Sequence, residues 1–221
     1  MERSAEQRSG LARRRPVRGR DEWGIEFSRI VAFSDGVFAI AITLLALSID
    51  IPQHLPSDTS VGEMLENQTG DLIAYAISFA VVGKLWLSHH WFFATVERFD
   101  NVLMGLNILY LAWIALIPVT SEVLGDYGDN SAGVIIYAIV MVAVSLTFQA
   151  QIGYSLRNDL LRPELRELEH RVVEPANLIV AAVFLLSIPV AFVSPLAAVL
   201  MWPIIFLTGR RLAFRIADLR S

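Results

Sequence analysis

Seven side chains able to hydrogen-bond or carry a proton stand in stretches that are otherwise apolar: Ser34, Asp35, Lys84, Trp86, His89, His90 and Asn107. An ionisable group inside hydrocarbon is expensive unless it is paired or wetted, so these positions are functional suspects by default. A carboxylate, an ammonium and two imidazoles could relay protons or set a local charge. They could also do no more than lock helices together by interhelical hydrogen bonds. Asp35 lies six residues after Arg29, a spacing that does not put the two on adjoining turns of one helix face. Its partners must therefore come from other segments, with Asn107, the Trp86 N–H, His90 and Lys84 as candidates. A metal site is not expected, because adjacent histidines point about 100° apart on a helix and no HExxH pattern or carboxylate at ligand spacing accompanies them. The chain has no cysteine, which excludes thiolate chemistry and disulfides. No GxSxG setting and no phosphate-cradling glycine loop is present, so neither an enzyme nor a cofactor is expected.

The elements that must position these residues follow from composition. Of 221 residues, 55% are apolar and only 18% charged, and the mean hydropathy is +0.53. Soluble domains carry about a quarter charged residues, so the chain is expected to be an all-α integral membrane protein. Six spans are expected, at about residues 29–49, 72–93, 102–120, 132–156, 175–193 and 195–213, the last two divided at Ser194-Pro195 because proline interrupts a helix. They form one channel domain over residues 25–216. It is preceded by an arginine-rich tail, residues 1–24, too polar to fold, and followed by a short C-terminus, residues 217–221. No alternation of period two recurs, which argues against a barrel.

The charges test this count. The segments Asp50–Asp71 and Ser121–Ser131 hold eight acids and no lysine or arginine. The tail, Arg98, Arg157–Arg171 and Arg210–Arg220 gather the bases. The positive-inside rule then gives six spans with both termini cytoplasmic. A net charge of −4 rules out a plainly basic nucleic-acid binder; the basic tail suits lipid headgroups instead. With a rise of about 1.5 Å per residue, Asp35 lies roughly 9 Å from the inner boundary. Trp86 and Asn107 stand at a similar depth, so three helices bring polar groups to one layer.

The segment Arg29-Ile-Val-Ala-Phe33-Ser34-Asp35 carries an RxxxFSD pattern at the cytoplasmic end of a first membrane helix. It closely resembles the transmembrane protein 175 family, potassium channels of endolysosomes and their six-helix bacterial relatives. The likeness continues through Trp86-Leu-Ser-His-His90 and Leu106-Asn107-Ile-Leu-Tyr to Ile117-Pro118. It covers three helices by motif and the remainder by span count and length. The resemblance implies a homotetramer in a bacterial cell membrane, with the first helix of each subunit lining a central pore and K+ as the permeant ion. It implies a hydrophobic constriction at Ile40, five residues after the motif aspartate, with Thr43 and Leu47 lining the pore further out. Arg29, Phe33, Ser34, Asp35, Trp86, His90 and Asn107 then form the motif and its supporting network.

Helical geometry offers an independent check. At about 100° per residue, Gly36, Ile40, Thr43 and Leu47 fall within a narrow stripe, Leu44 lies at its margin, and Asp50 extends it toward an outer mouth. Asp35 falls off the stripe. An apolar stripe is by itself ordinary helix packing; the motif is what gives it a pore reading. No TVGYG-like filter exists in the chain, so an Ile40 ring would gate by narrowing and dewetting, and Thr43 hydroxyls could replace part of an ion's hydration. The outer acids would concentrate monovalent cations. A proton-coupled transporter using Asp35, Lys84 and His90 is the alternative, and an assembly protein without flux is a third reading. A pore-facing Lys84 would oppose cation entry.

Overall fold

The first amides of a helix have no partner within it, and here side chains in the preceding loops supply one. The Asp100 carboxylate accepts from the Leu103 N–H at 2.8 Å, and the Asn130 amide oxygen accepts from the Ala132 N–H at 2.9 Å. Ser194 accepts from the Ala197 N–H at 3.2 Å. These three caps begin three of the helices of the computed structural model, which describes residues 20–49, 62, 68–168 and 174–207.

The elements are α1 (Arg20–Leu45) with a 3-10 turn (Ala46–Ser48), α2 (Thr69–Thr95), α3 (Asn101–Tyr127), α4 (Ser131–Arg157), the short α5 (Pro163–Leu168), α6 (Glu174–Ala191) and α7 (Pro195–Met201), which runs into a 3-10 segment (Trp202–Leu207). Four of them, Phe27–Leu45, Thr69–Thr95, Asn101–Tyr127 and Ser131–Arg157, are long and apolar enough to cross a membrane. The chain is an integral membrane protein, and among the described residues its regular elements are all helical. The fifth and sixth expected spans correspond to shorter apolar helices, Ala176–Ala191 and Pro195–Leu207.

The boundaries differ from the sequence expectation in three places. Helix α1 begins at Arg20, so Arg20–Gly24 are helix and not tail. Helix α3 runs seven residues past the expected Thr120, through Glu122 and Asp126 to Tyr127, because helix geometry continues where apolar composition stops. The last helix is α-helical only to Met201. Pro203 has no N–H to offer the Val199 carbonyl, and the Trp202 N–H bonds that carbonyl in 3-10 fashion instead. Its expected continuation to Ala213, like most of the tail, lies outside the described residues.

Helix α1 packs on α2 and α3, α3 on α2 and α4, α4 on α6, and α6 on α7. Aromatic rings fill the middle of this arrangement. Phe148 of α4 meets Phe92 of α2 at 5.5 Å and Tyr110 of α3 at 5.4 Å between ring centres; Tyr137 stacks on Trp202 at 4.9 Å. Such pairs fix both the rotation and the axial register of the helices that carry them.

The two ends of the bundle differ in charge. Phe27 stacks on Phe93 at 6.1 Å, and the Tyr154 O–H donates to Asp100 Oδ2 at 2.7 Å, which brings Arg29, Arg98 and Arg157 to one end. There the loops after α2 and α4 clasp each other. Val96 and Leu161 form an antiparallel bridge, the Arg162 N–H donates to the Thr95 carbonyl at 2.9 Å, and the Arg98 guanidinium donates to the Asp159 carbonyl at 2.8 Å. At the other end Ser131 Oγ donates to the Ala191 carbonyl at 2.8 Å, and Asp71 lies against Gly125, with Glu122, Asp126 and Asp129 nearby in the chain.

Candidate functional site

Helix α1 has two contrasting faces. Ser34, Phe38, Ala41 and Leu45, spaced by four, three and four residues, are buried against α2 and α3. Gly36, Ile40, Thr43 and Leu47 repeat the same spacing two residues on, about 200° further round, so they point away from the subunit's core. Ile40 is 60% exposed and Leu47 78%; Leu44, at the edge, is 43% exposed. The Thr43 hydroxyl donates to the Ile40 carbonyl at 2.9 Å, which leaves its oxygen lone pairs free on the exposed side. Asp50, expected at the outer mouth, lies outside the described residues.

Behind this stripe the polar residues of α1, α2 and α3 form a layer. Asn107 Nδ2 donates to Ser34 Oγ at 2.9 Å, and Ser34 Oγ donates onward to the Ile30 carbonyl at 2.9 Å. Asn107 Oδ1 lies 2.9 Å from His89 Nε2. A carbonyl oxygen can only accept, so His89 carries its proton on Nε2. The imidazole sits among the rings of Phe38, Phe93 and Tyr110, with centres at 5.5, 4.3 and 5.5 Å. Every polar atom of this chain from α2 through α3 to α1 runs in one hydrogen-bonding direction. A second, separate bond joins α1 to α2: Trp86 Nε1 donates to Asp35 Oδ1 at 2.9 Å.

Of the expected network, Ser34, Asp35, Trp86 and Asn107 are brought together. His90 is not hydrogen-bonded within it; it is exposed and stacks on Trp86 at 5.6 Å between ring centres. The buried histidine is His89. The two differ by one residue, hence about 100° of rotation, and His89 shares the face of Val82, Leu85 and Phe92 that the bundle covers. Arg29 is exposed and Phe33 is 60% exposed, both outside the hydrogen-bonded layer.

Lys84 is half-buried on α2. It stands about 200° around the helix from Trp86, which faces α1, so the lysine is turned away from both Asp35 and the exposed stripe. No ion pair joins it to Asp35 among the described residues. A polar cluster near the acidic end also had no sequence signal: Ser121 Oγ donates to the Ala74 carbonyl at 3.3 Å, while Ser78 Oγ lies 2.8 Å from Ser121 Oγ and 3.2 Å from Tyr137 Oη.

A bundle of apolar helices tied by a buried polar layer defines a polytopic membrane protein, and comparison with known proteins narrows the class. The family model described as endosomal/lysosomal potassium channel TMEM175 matches residues 29–118, the segment that holds the stripe and the whole layer. A protein of Streptomyces collinus named a potassium channel is 43% identical over 129 residues, which are 57% of this chain and 62% of that relative. The rat protein named endosomal/lysosomal proton channel TMEM175 is 28% identical over 204 residues, 85% of this chain and 39% of its own length. The crystal structure of a TMEM175 homologue from Chamaesiphon minutus, titled a lysosomal potassium-selective channel, superposes with a TM-score of 0.73 at 28% identity, covering 84% of this chain and 97% of that one. Over residues 29–118 the chain matches the TMEM175 family model, and the rat relative and the solved structure that it resembles carry the same family name. It spans less than two thirds of the length of the Streptomyces relative.

Proposed function

We propose that the chain is one subunit of a passive, potassium-selective channel, a homotetramer whose first helices surround a central pore. In this reading the chain crosses the membrane six times, with the arginine end and both termini in the cytoplasm. The observation that carries the reading is the face of α1. Its Gly36–Ile40–Thr43–Leu47 stripe is turned out of the subunit, while the opposite face is fixed by packing and by the Ser34–Asn107 bond. A side chain exposed in one subunit is free to line a space shared by several.

Ile40 forms the constriction in this reading. Four isoleucines offer an ion no polar atom, so the neck conducts only when it widens enough to stay wet, and an ion must shed part of its water to pass. Potassium holds its water less tightly than sodium, which favours potassium. The Thr43 oxygens, one turn further out, supply partial compensation. The polar layer acts as a strut that holds the rotation of α1, so that Ile40 and not Ala41 or Phe38 faces the axis. Asp35 and its Trp86 partner belong to this strut and not to the ion path. No TVGYG-like sequence is available for a carbonyl filter.

Bilayer recordings of the purified protein under a potassium/sodium gradient test the proposal. Wild type is expected to show unitary steps with a reversal potential on the potassium side. Ile40→Asn is expected to raise the current and shift the reversal potential toward zero; an unchanged conductance would remove Ile40 from the constriction. A coupled transporter would instead give saturable, pH-driven flux without unitary steps. The relay it needs is poorly served here, because Lys84 is turned away from Asp35 and His90 stacks on Trp86 without bonding the carboxylate.

A further inference from the structure

Three side chains on α4, Ser145, Gln151 and Ser155, bring polar atoms into the bundle's interior without a protein partner, as do Tyr110 on α3 and Trp202; Gln151 and Ser155 are the pair that stand together. Gln151 and Ser155 are fully buried, and neither the Gln151 amide oxygen and nitrogen nor Ser155 Oγ meets a hydrogen-bonding group of the protein. They are one turn apart on the face that also carries Phe148. An amide buried in this way costs more than a hydroxyl, and in a membrane interior bulk water cannot relieve it.

The surroundings close this region on two sides. On the side toward the middle of the bundle, Phe148 meets Phe92 and Tyr110 in a layer of rings. On the arginine-end side, the loop after α4 folds back: the Leu160 N–H donates to the Ser155 carbonyl at 3.0 Å, Leu160 and Leu161 are buried, and Leu161 bridges to Val96. The Tyr110–Phe148 contact also fixes the register of the antiparallel pair α3 and α4. Three residues from it toward the arginine end stand Asn107 on α3 and Gln151 on α4, so the two amides share one level.

We propose that Gln151 and Ser155 form a buried water-binding site, sealed between the Phe92/Tyr110/Phe148 rings and the Val96–Leu161 clasp. Three unpartnered atoms match the roughly three hydrogen bonds that one buried water makes. The amide both donates and accepts and the hydroxyl does either, so one or two waters (about that many fit this donor set) can be satisfied without any charge. The site extends the hydrogen-bonded layer of Ser34, Asn107 and His89 to the level of α4, a helix that contributes no direct hydrogen bond to that layer.

A structure of the purified oligomer at a resolution that shows ordered solvent is the first test. The proposal expects oxygen-sized density within hydrogen-bonding distance of both the Gln151 amide and Ser155 Oγ. It is overturned if the Gln151 amide bonds a protein atom directly with no such density. The second test is the sign of a stability change. In a dry pocket, Gln151→Leu removes two orphaned polar atoms and raises the thermal midpoint. In a hydrated one it strips the water of its main ligands and lowers the midpoint by about 2–4 °C. Ser155→Ala is expected to lower it as well, and serves if the leucine variant does not fold. A rise, or no change, in both variants overturns the site.

Discussion

At the scale of single residues, Asn107 is the side chain on which most depends. Its amide bonds Ser34 on one side and His89 on the other, so one residue of α3 holds both α1 and α2. Asn107→Leu keeps the size but leaves the His89 N–H without its acceptor and takes from Ser34 Oγ the donor it accepts from, the bond to the Ile30 carbonyl remaining. It is expected to cost about 1–3 kcal/mol, the penalty for leaving buried polar groups unmet. Chemical or thermal unfolding in detergent measures this. Under the proposed function the same variant loosens the rotation of α1, so channel recordings should show more heterogeneous unitary currents than wild type.

At the scale of elements, the close approach of α2 and α3 at the acidic end depends on two glycines. A Cβ on Gly70 would stand 2.9 Å from the Gly125 carbonyl oxygen, and a Cβ on Gly125 would stand 3.2 Å from the Asp71 Cα with the Asp71 carboxylate closer still. Neither neighbour can move without parting the helices. Gly125→Ala is therefore expected to destabilise the protein by about 1–3 kcal/mol, the usual cost of overpacking. Gly153, in the interior of α4, has nothing within 4 Å of where its Cβ would go. Gly153→Ala is expected to stabilise by about 0.5–1 kcal/mol, because alanine loses less backbone freedom in a helix. Opposite shifts of the unfolding midpoint from the same substitution would separate contact from propensity.

At the scale of the whole molecule, the arginines gather at one end, among acids of their own, while the described residues of the other end carry acids and no lysine or arginine. Asp71, Glu122, Asp126 and Asp129 all lie at the end away from Arg29, Arg98 and Arg157, and the last three acids are exposed. In the proposed channel they raise the cation concentration at the outer mouth. Neutralising Glu122, Asp126 and Asp129 together is expected to reduce conductance in ~0.01 M salt, where the screening length is about 30 Å, and to have little effect in ~1 M salt, where it is about 3 Å. Conductance measured across that range of salt checks this; equal losses at both limits would place the acids in the ion path itself.

Much of this molecule was legible in the sequence, and the division between what was and what was not has a physical cause. The location of the first four spans and the placing of the arginines depend on composition, which is a local property. The Ile40 stripe was singled out by the RxxxFSD resemblance, and the structure leaves that face of α1 exposed. The partners of the polar residues were not readable. In lipid a helix is apolar on every side, so periodicity does not announce which face the protein covers. Which of His89 and His90 is buried, that Trp86 and not Lys84 reaches Asp35, and that Gln151 comes level with Asn107 were decided by helix rotation and register. Those were set by contacts such as Phe38 with His89 and Tyr110 with Phe148, between residues distant in the chain. The sequence by itself determined which segments are apolar enough to enter the membrane; only the tertiary structure decided which side of α1 is free and which polar groups meet, because both depend on packing between helices rather than on any one of them.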